Sequence, residues 1–129
     1  MKVITRDKAL ALVKDGAVLV DLRSPIEFRD YKIEGAINLP LRNFSARMMG
    51  EKNKSAKYII FSNSVKDKDV ELALRFAAEF GVKNVFVSDY FRLREPSTQD
   101  IRNVAKHSNR PKPDRKNVTV TVKKTRKGA

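Results

Sequence analysis

No cysteine occurs anywhere in the 129-residue chain, and tryptophan is missing as well. Without cysteine, disulfides, thiolate metal sites and any chemistry that needs a thiol nucleophile are excluded. Histidine occurs once, at His107, so a histidine metal cluster is excluded and a histidine base is confined to one position. From what remains, neither a metal nor a cofactor is expected. Long apolar runs are also missing. None approaches the roughly 20 residues of a membrane span, and the opening MKVITRDKAL has no apolar signal core. The expected setting is cytoplasmic.

Acidic side chains are few beside basic ones, 15 against 28, for a net charge of +13. The excess is unevenly placed: residues 1–91 carry 16 basic and 12 acidic groups, whereas residues 92–129 carry 12 and 3. This predicts an ordinary domain over residues 1–95 and a basic extension over 96–129. Such an asymmetry points to a polyanionic partner, either nucleic acid or an acidic protein surface, with a solubilising tail as the plain alternative. At 41% hydrophobic residues the chain can build one modest core.

The stretch YIIFSNSVKDKDVELALRFAAEFG, residues 58–81, organises the domain. Residues 58–61 form a short apolar run, the mark of a buried strand. Residues 62–68 are polar and predict a turn. Residues 69–80 repeat at helical spacing, with Glu71, Arg75 and Glu79 on one narrow charged stripe and apolar residues around the rest. A strand, tight loop and helix in this order place the loop where open α/β sheets carry their chemistry. Ser64, with Asp67 three residues on, resembles a helix-capping box.

The flanking elements follow from caps and breaks. Val3-Ile4 can start a strand, and Thr5 can cap a helix over residues 6–14 with Leu10 and Val13 facing inward and Gly16 as its stop. Residues 17–20 predict a second buried strand with Asp21 at its end. Ser24-Pro25 opens a helical turn. Residues 36–39 predict a short strand, 41–49 a helix presenting Met48 and Met49, and 84–87 the last core strand. Strands and helices alternating at this spacing predict a parallel sheet covered on both faces.

Residues 21–40, DLRSPIEFRDYKIEGAINLP, resemble the rhodanese signature through Asp21, Arg23, Glu27, Phe28, Ile33 and the run Gly35, Ala36, Ile37, Asn38, Leu39, Pro40. The central unit and the following GVKNVFV stand where that family has its active-site strand, helix and last strand, so the resemblance covers residues 1–91. It implies an open five-stranded parallel sheet flanked by helices. It also implies an active loop that begins with a cysteine carrying sulfur as a persulfide. In this register the cysteine position is Ser62, whose hydroxyl cannot form a persulfide and stays protonated at neutral pH. Val65 stands at a common glycine position, Asp67 at a common arginine position, Tyr31-Lys32 at a common Gly-His pair and Tyr90-Phe91 at a Gly-Gly pair. A β-branched residue resists positive φ, and an acid repels the anion that an arginine would attract. The resemblance therefore implies an inactive sulfurtransferase homologue whose degenerate loop is Ser62, Asn63, Ser64, Val65, Lys66, Asp67 and Lys68, with no catalytic residue to assign.

Asp21, Arg23 and Glu27 follow a buried strand and are expected as scaffold, with Arg23 paired to Glu27 and Asp21 bonded to loop amides. Lys66 and Lys68 could draw an anion to the loop, but Asp67 and Asp69 offset them. In the extension, residues 97–106 predict a helix, 109–114 a Pro-containing linker, and 117–123 a strand with Val118, Val120 and Val122 on one side. Candidate partner contacts are Arg110, Lys112, Arg115, Lys116, Lys123, Lys124, Arg126 and Lys127. Aromatic residues are absent from 92–129, so a nucleic-acid contact there would be led by phosphates and not by sequence. The expected function is a non-catalytic binding or scaffolding module. The rivals are an enzyme using the altered loop for other chemistry, and a homodimer or larger homo-oligomer formed by exchange of the 118–122 strand.

Overall fold

A computed structural model describes residues 1–94 of the chain. Thr5 opens the first helix, α1 (Arg6–Lys14), by accepting a hydrogen bond from the Lys8 amide on its side-chain oxygen. After it the chain continues through β1 (Val18–Asp21), α2 (Pro25–Asp30), β2 (Ile37–Asn38), α3 (Leu41–Gly50), β3 (Lys57–Ser62), α4 (Lys68–Glu79), β4 (Asn84–Asp89) and α5 (Tyr90–Arg94). Ser24 caps α2 in a full capping box with Glu27, and Pro25 occupies the first helical position, where its missing N–H leaves nothing unpaired. Gly81 ends α4 at φ +80°, which lets the Val82 amide reach back 2.8 Å to the Ala77 carbonyl.

All pairings are parallel, in the order β2-β1-β3-β4. The sheet is four-stranded among the described residues, not five-stranded as the resemblance implies. The Val3-Ile4 segment lies beside β4, but it makes only an isolated bridge, Val3 to Val87. The Ile4 amide donates to the Val87 carbonyl and the Val87 amide to the Lys2 carbonyl, each at 2.8 Å. Thr5 is committed to capping α1, so the chain leaves β4 directly after Ile4.

Both faces of the sheet are covered, and this is why residues 58–61 are uninterruptedly apolar. Tyr58 and Ile60 point to one face, where Phe44 and Met48 of α3 and Val70, Ala73 and Ala77 of α4 pack with Val20 and Val87. Ile59 and Phe61 point to the other, against Ala9 and Leu12 of α1 and Leu93 of α5. Met48 is buried and Met49 faces outward, so the two adjacent methionines have opposite roles. The inward stripe of α1 corrects one expectation: Ala9 and Leu12 are buried, Val13 is half-buried, and Leu10 is exposed, about 100° around the helix from Ala9. Among the described residues, no helix is long and apolar enough to cross a membrane. The helix, linker and strand expected over 97–123, and the eight candidate contacts from Arg110 to Lys127, lie outside the described residues.

Candidate functional site

The C-terminal ends of β1 and β3 bring residues 21–27 beside the loop at residues 62–67. Asp21, completely buried, and Arg23, nearly so, form the fixed point. The Asp21 carboxylate accepts from the Arg23 backbone N–H at 2.8 Å, from its Nε at 3.1 and 3.2 Å and from its Nη2 at 2.9 Å. Nη2 also donates to the Tyr31 carbonyl at 2.6 Å, while Nη1 reaches Asn63 Oδ1 at 3.5 Å. The Tyr90 ring covers the guanidinium, its centroid 4.4 Å from Cζ. Burying this charge pair is tolerable because it is bidentate and most of its donors are satisfied.

Arg23 therefore pairs with Asp21, not with Glu27. Glu27 is taken by other partners: its Oε2 accepts from Asn63 Nδ2 at 2.7 Å, and its Oε1 from the hydroxyl of Ser24 at 3.2 Å. The Asn63 donor holds the Glu27 carboxyl below the usual carboxylate range. Asp21 accepts one backbone amide, that of Arg23, so its expected bonding to loop amides reduces to that single contact. Asn38 escaped the sequence reading as a site residue. Its side-chain amide donates to the carbonyls of Asp21 and Arg23 at 3.0 and 2.9 Å and so ties β2 to the turn. Its place within the signature motif was the available signal.

Ser62, buried at the end of β3, donates its hydroxyl to Asp67 Oδ2 at 2.6 Å. The residue at the cysteine position is thus closed onto the residue at the arginine position. Asp67 occupies the cap position of α4 but makes no side-chain cap bond, because its carboxylate is turned to Ser62. Ser64 is not the helix cap expected from the sequence. Its hydroxyl accepts from the Lys66 amide at 3.1 Å and its carbonyl from the Asp67 amide at 3.1 Å, making a local turn ahead of the helix. Two amides that an anion cradle would offer are consumed inside the loop. Val65 packs partly buried against the α3–α4 core, which pins the loop from within. Lys66 and Lys68 are exposed.

An open depression of about 600 Å³ beside the loop is lined by Met1, Val3, Val65, Lys66, Asp67 and Glu71, one cation against two acids. That balance does not favour an anionic substrate. Among the described residues no three histidine, cysteine or acidic side chains converge as a metal site. The site retains the frame of an active centre and has a hydroxyl closed on a carboxylate where the reacting group would stand.

Comparison with known proteins agrees with this geometry. The rhodanese-like domain family matches residues 5–90. A segment of 41 residues is 51% identical to tRNA 2-selenouridine synthase of Cronobacter sakazakii, covering 32% of this chain and 11% of that protein. A segment of 67 residues is 42% identical to the uncharacterized protein YibN of Escherichia coli, covering 50% of this chain and 47% of that protein. The chain thus spans less than half the length of either relative. Among solved structures, a rhodanese-related protein of Thermoplasma volcanium superposes with a TM-score of 0.56 at 17% identity, over 74% of this chain and 96% of that one. The single-domain sulfurtransferase RDL2 of Saccharomyces cerevisiae gives 0.53 at 23% identity, over 82% and 90%. At these identities the structural likeness speaks for the fold alone. From the match over residues 5–90, the fold, and serine in place of the nucleophile in a chain without cysteine, this protein belongs to the rhodanese-like family as a member that has lost the catalytic cysteine.

Proposed function

We propose that this chain is a rhodanese module used for binding and not for sulfur transfer, with its basic extension contacting an anionic partner. The observation that carries the first half is the 2.6 Å hydrogen bond from Ser62 to Asp67. It joins the two positions that would hold the sulfur carrier and its anion-binding cation into a closed pair with no capacity for either task. An enzyme using the altered loop would have to take Asp67 as the base for Ser62 and find another oxyanion site, because the Lys66 and Asp67 amides are already bonded to Ser64. The second half rests on charge. Arg110, Lys112, Arg115, Lys116, Lys123, Lys124, Arg126 and Lys127 face the single Asp114 within residues 110–127. The likeness to a protein whose name carries tRNA makes RNA the polyanion to try first.

The test measures binding of a fluorescent single-stranded RNA to the full chain and to a full-length variant with those eight residues changed to glutamine. With most of the eight engaged, affinity falls up to about a thousandfold between roughly 50 and 200 mM salt, and the variant flattens the slope. An equal slope in both proteins would assign the contact to another surface. In parallel, purified protein produces no thiocyanate from thiosulfate and cyanide; turnover above background would refute the binding-module reading.

A further inference from the structure

Positions 90 and 91, where the family resemblance implies a pair of glycines, carry two aromatic rings at the start of α5. Tyr90 lies against the Arg23 guanidinium at 4.4 Å and meets Phe91 edge to face, with ring centroids 5.6 Å apart and planes at 82°. Arg94 adds a cation to the same group, its Cζ 4.9 Å from the Phe91 centroid and 6.0 Å from that of Tyr90. Arg92 is anchored by Asp89, which accepts from its backbone amide at 2.8 Å and pairs with its guanidinium. This cluster follows directly on β4, whose Asp89 is in register with Ser62, so it stands beside the degenerate loop.

Phe91 is nevertheless 54% exposed, and Tyr31, whose carbonyl accepts from the same Arg23, is 64% exposed. An aromatic ring held by neighbours and left open to water is ready for a planar partner at little further entropic cost. Flat rings and guanidinium planes interleaved are what nucleobases stack on. The charge selects among planar partners: from residue 92 onward the chain carries 12 basic groups and 3 acidic ones. An acidic peptide would satisfy those charges but has no need of the exposed ring. A polyanion that carries a planar group on every unit needs both.

We propose that Phe91, braced by Tyr90 and Arg94, is a stacking platform for a base of single-stranded nucleic acid, beside the lost active site. This rests on the reading of the extension as a polyanion contact and adds the surface that reads bases. The platform falls one residue before the aromatic-free stretch 92–129, and for that reason charge alone did not reveal it.

The experiment compares two fluorescent strands on the full chain: an oligoadenylate of about 12 nucleotides and an abasic strand with the same number of phosphates. The expected result is about tenfold tighter binding of the oligoadenylate. Phe91→Ala brings the oligoadenylate to the affinity of the abasic strand and leaves the abasic strand unchanged. Phe91→Trp keeps the preference and introduces the only tryptophan of the chain, whose fluorescence is quenched by oligoadenylate and not by the abasic strand. Equal, salt-dependent binding of both strands by the wild-type chain overturns the platform and leaves the extension reading standing. A base preference that survives Phe91→Ala overturns the platform as well. Absence of binding to either strand overturns the platform; capture of polyglutamate in its place assigns the extension to an acidic protein, and failure to bind any of the three probes overturns both readings.

Discussion

Replacing Arg23 by methionine tests whether the buried pair beneath the loop holds the domain together. The substitution keeps an unbranched side chain but removes every bond from the guanidinium: three to the Asp21 carboxylate, one to the Tyr31 carbonyl and one to Asn63. Asp21 has no exposed surface, so its carboxylate is left in the interior with only the residue 23 backbone amide as partner. Breaking a buried pair from one side costs about 3–5 kcal/mol. Against a total stability of about 5–15 kcal/mol this is a large fraction. At about 4–8 °C per kcal/mol for a domain of this size, Arg23→Met lowers the melting temperature by about 12–40 °C. Adding Asp21→Leu, close to aspartate in shape, removes the stranded charge and leaves one unpaired N–H, which costs about 1–3 kcal/mol. The double variant therefore melts above Arg23→Met alone. Circular dichroism melts of the four proteins in the cycle measure this directly. A loss below about 1 kcal/mol in Arg23→Met, or a double variant no better than the sum of its singles, would refute the reasoning.

Three further outcomes are expected. Ser62→Cys alone restores no measurable thiocyanate formation, because the new sulfur would face the Asp67 carboxylate that now accepts from Ser62, and the loop amides remain bonded to Ser64; robust turnover by this single variant would show the loop to be competent. The Asn63–Glu27 contact stabilises more strongly while Glu27 is ionised. Its carboxyl is lowered from 4.5, so the extra contribution is full above that value and is lost as the pH falls through the lower folded one. The wild-type advantage over Glu27→Gln is thus a few tenths of a kcal/mol near neutrality and vanishes in acid, and a gap that widens on acidification would contradict the assignment. Met48→Ala costs about 2–5 kcal/mol in urea unfolding, whereas Met49→Ala, exposed on the same helix, stays within about 0.5 kcal/mol; similar losses from both would mean that the face of α3 is misassigned.

Local rules carried the element order almost unaided. Thr5, Ser24 with Pro25, Gly16 and Gly81 mark helix ends through bonds made within a few residues, and those bonds form wherever the segment sits. The signature at residues 21–40 and the strand, loop and helix at 58–81 placed both loops at the C-terminal ends of their strands, and the missing cysteine showed in composition alone. Tertiary structure decided which groups meet. Glu27 is four residues from Arg23, yet Asn63 crosses from a loop 36 residues away and takes it, leaving the arginine to Asp21. Ser62 and Asp67 are five residues apart, and only the turn built on Ser64 brings hydroxyl and carboxylate into contact. The strand count depended on the Thr5 cap turning the chain away from β4 after a single bridge, and the outward turn of Leu10 on α1 burying Ala9 and Leu12 instead. Tyr90 reads as one more apolar residue after a strand; its place over Arg23 exists only once β4 has delivered it to the end of the sheet. Caps and periodicity act within a turn of backbone and can be read along the chain. A buried charge takes whichever partner the packed elements hold within about 3 Å, and sequence separation says little about that distance.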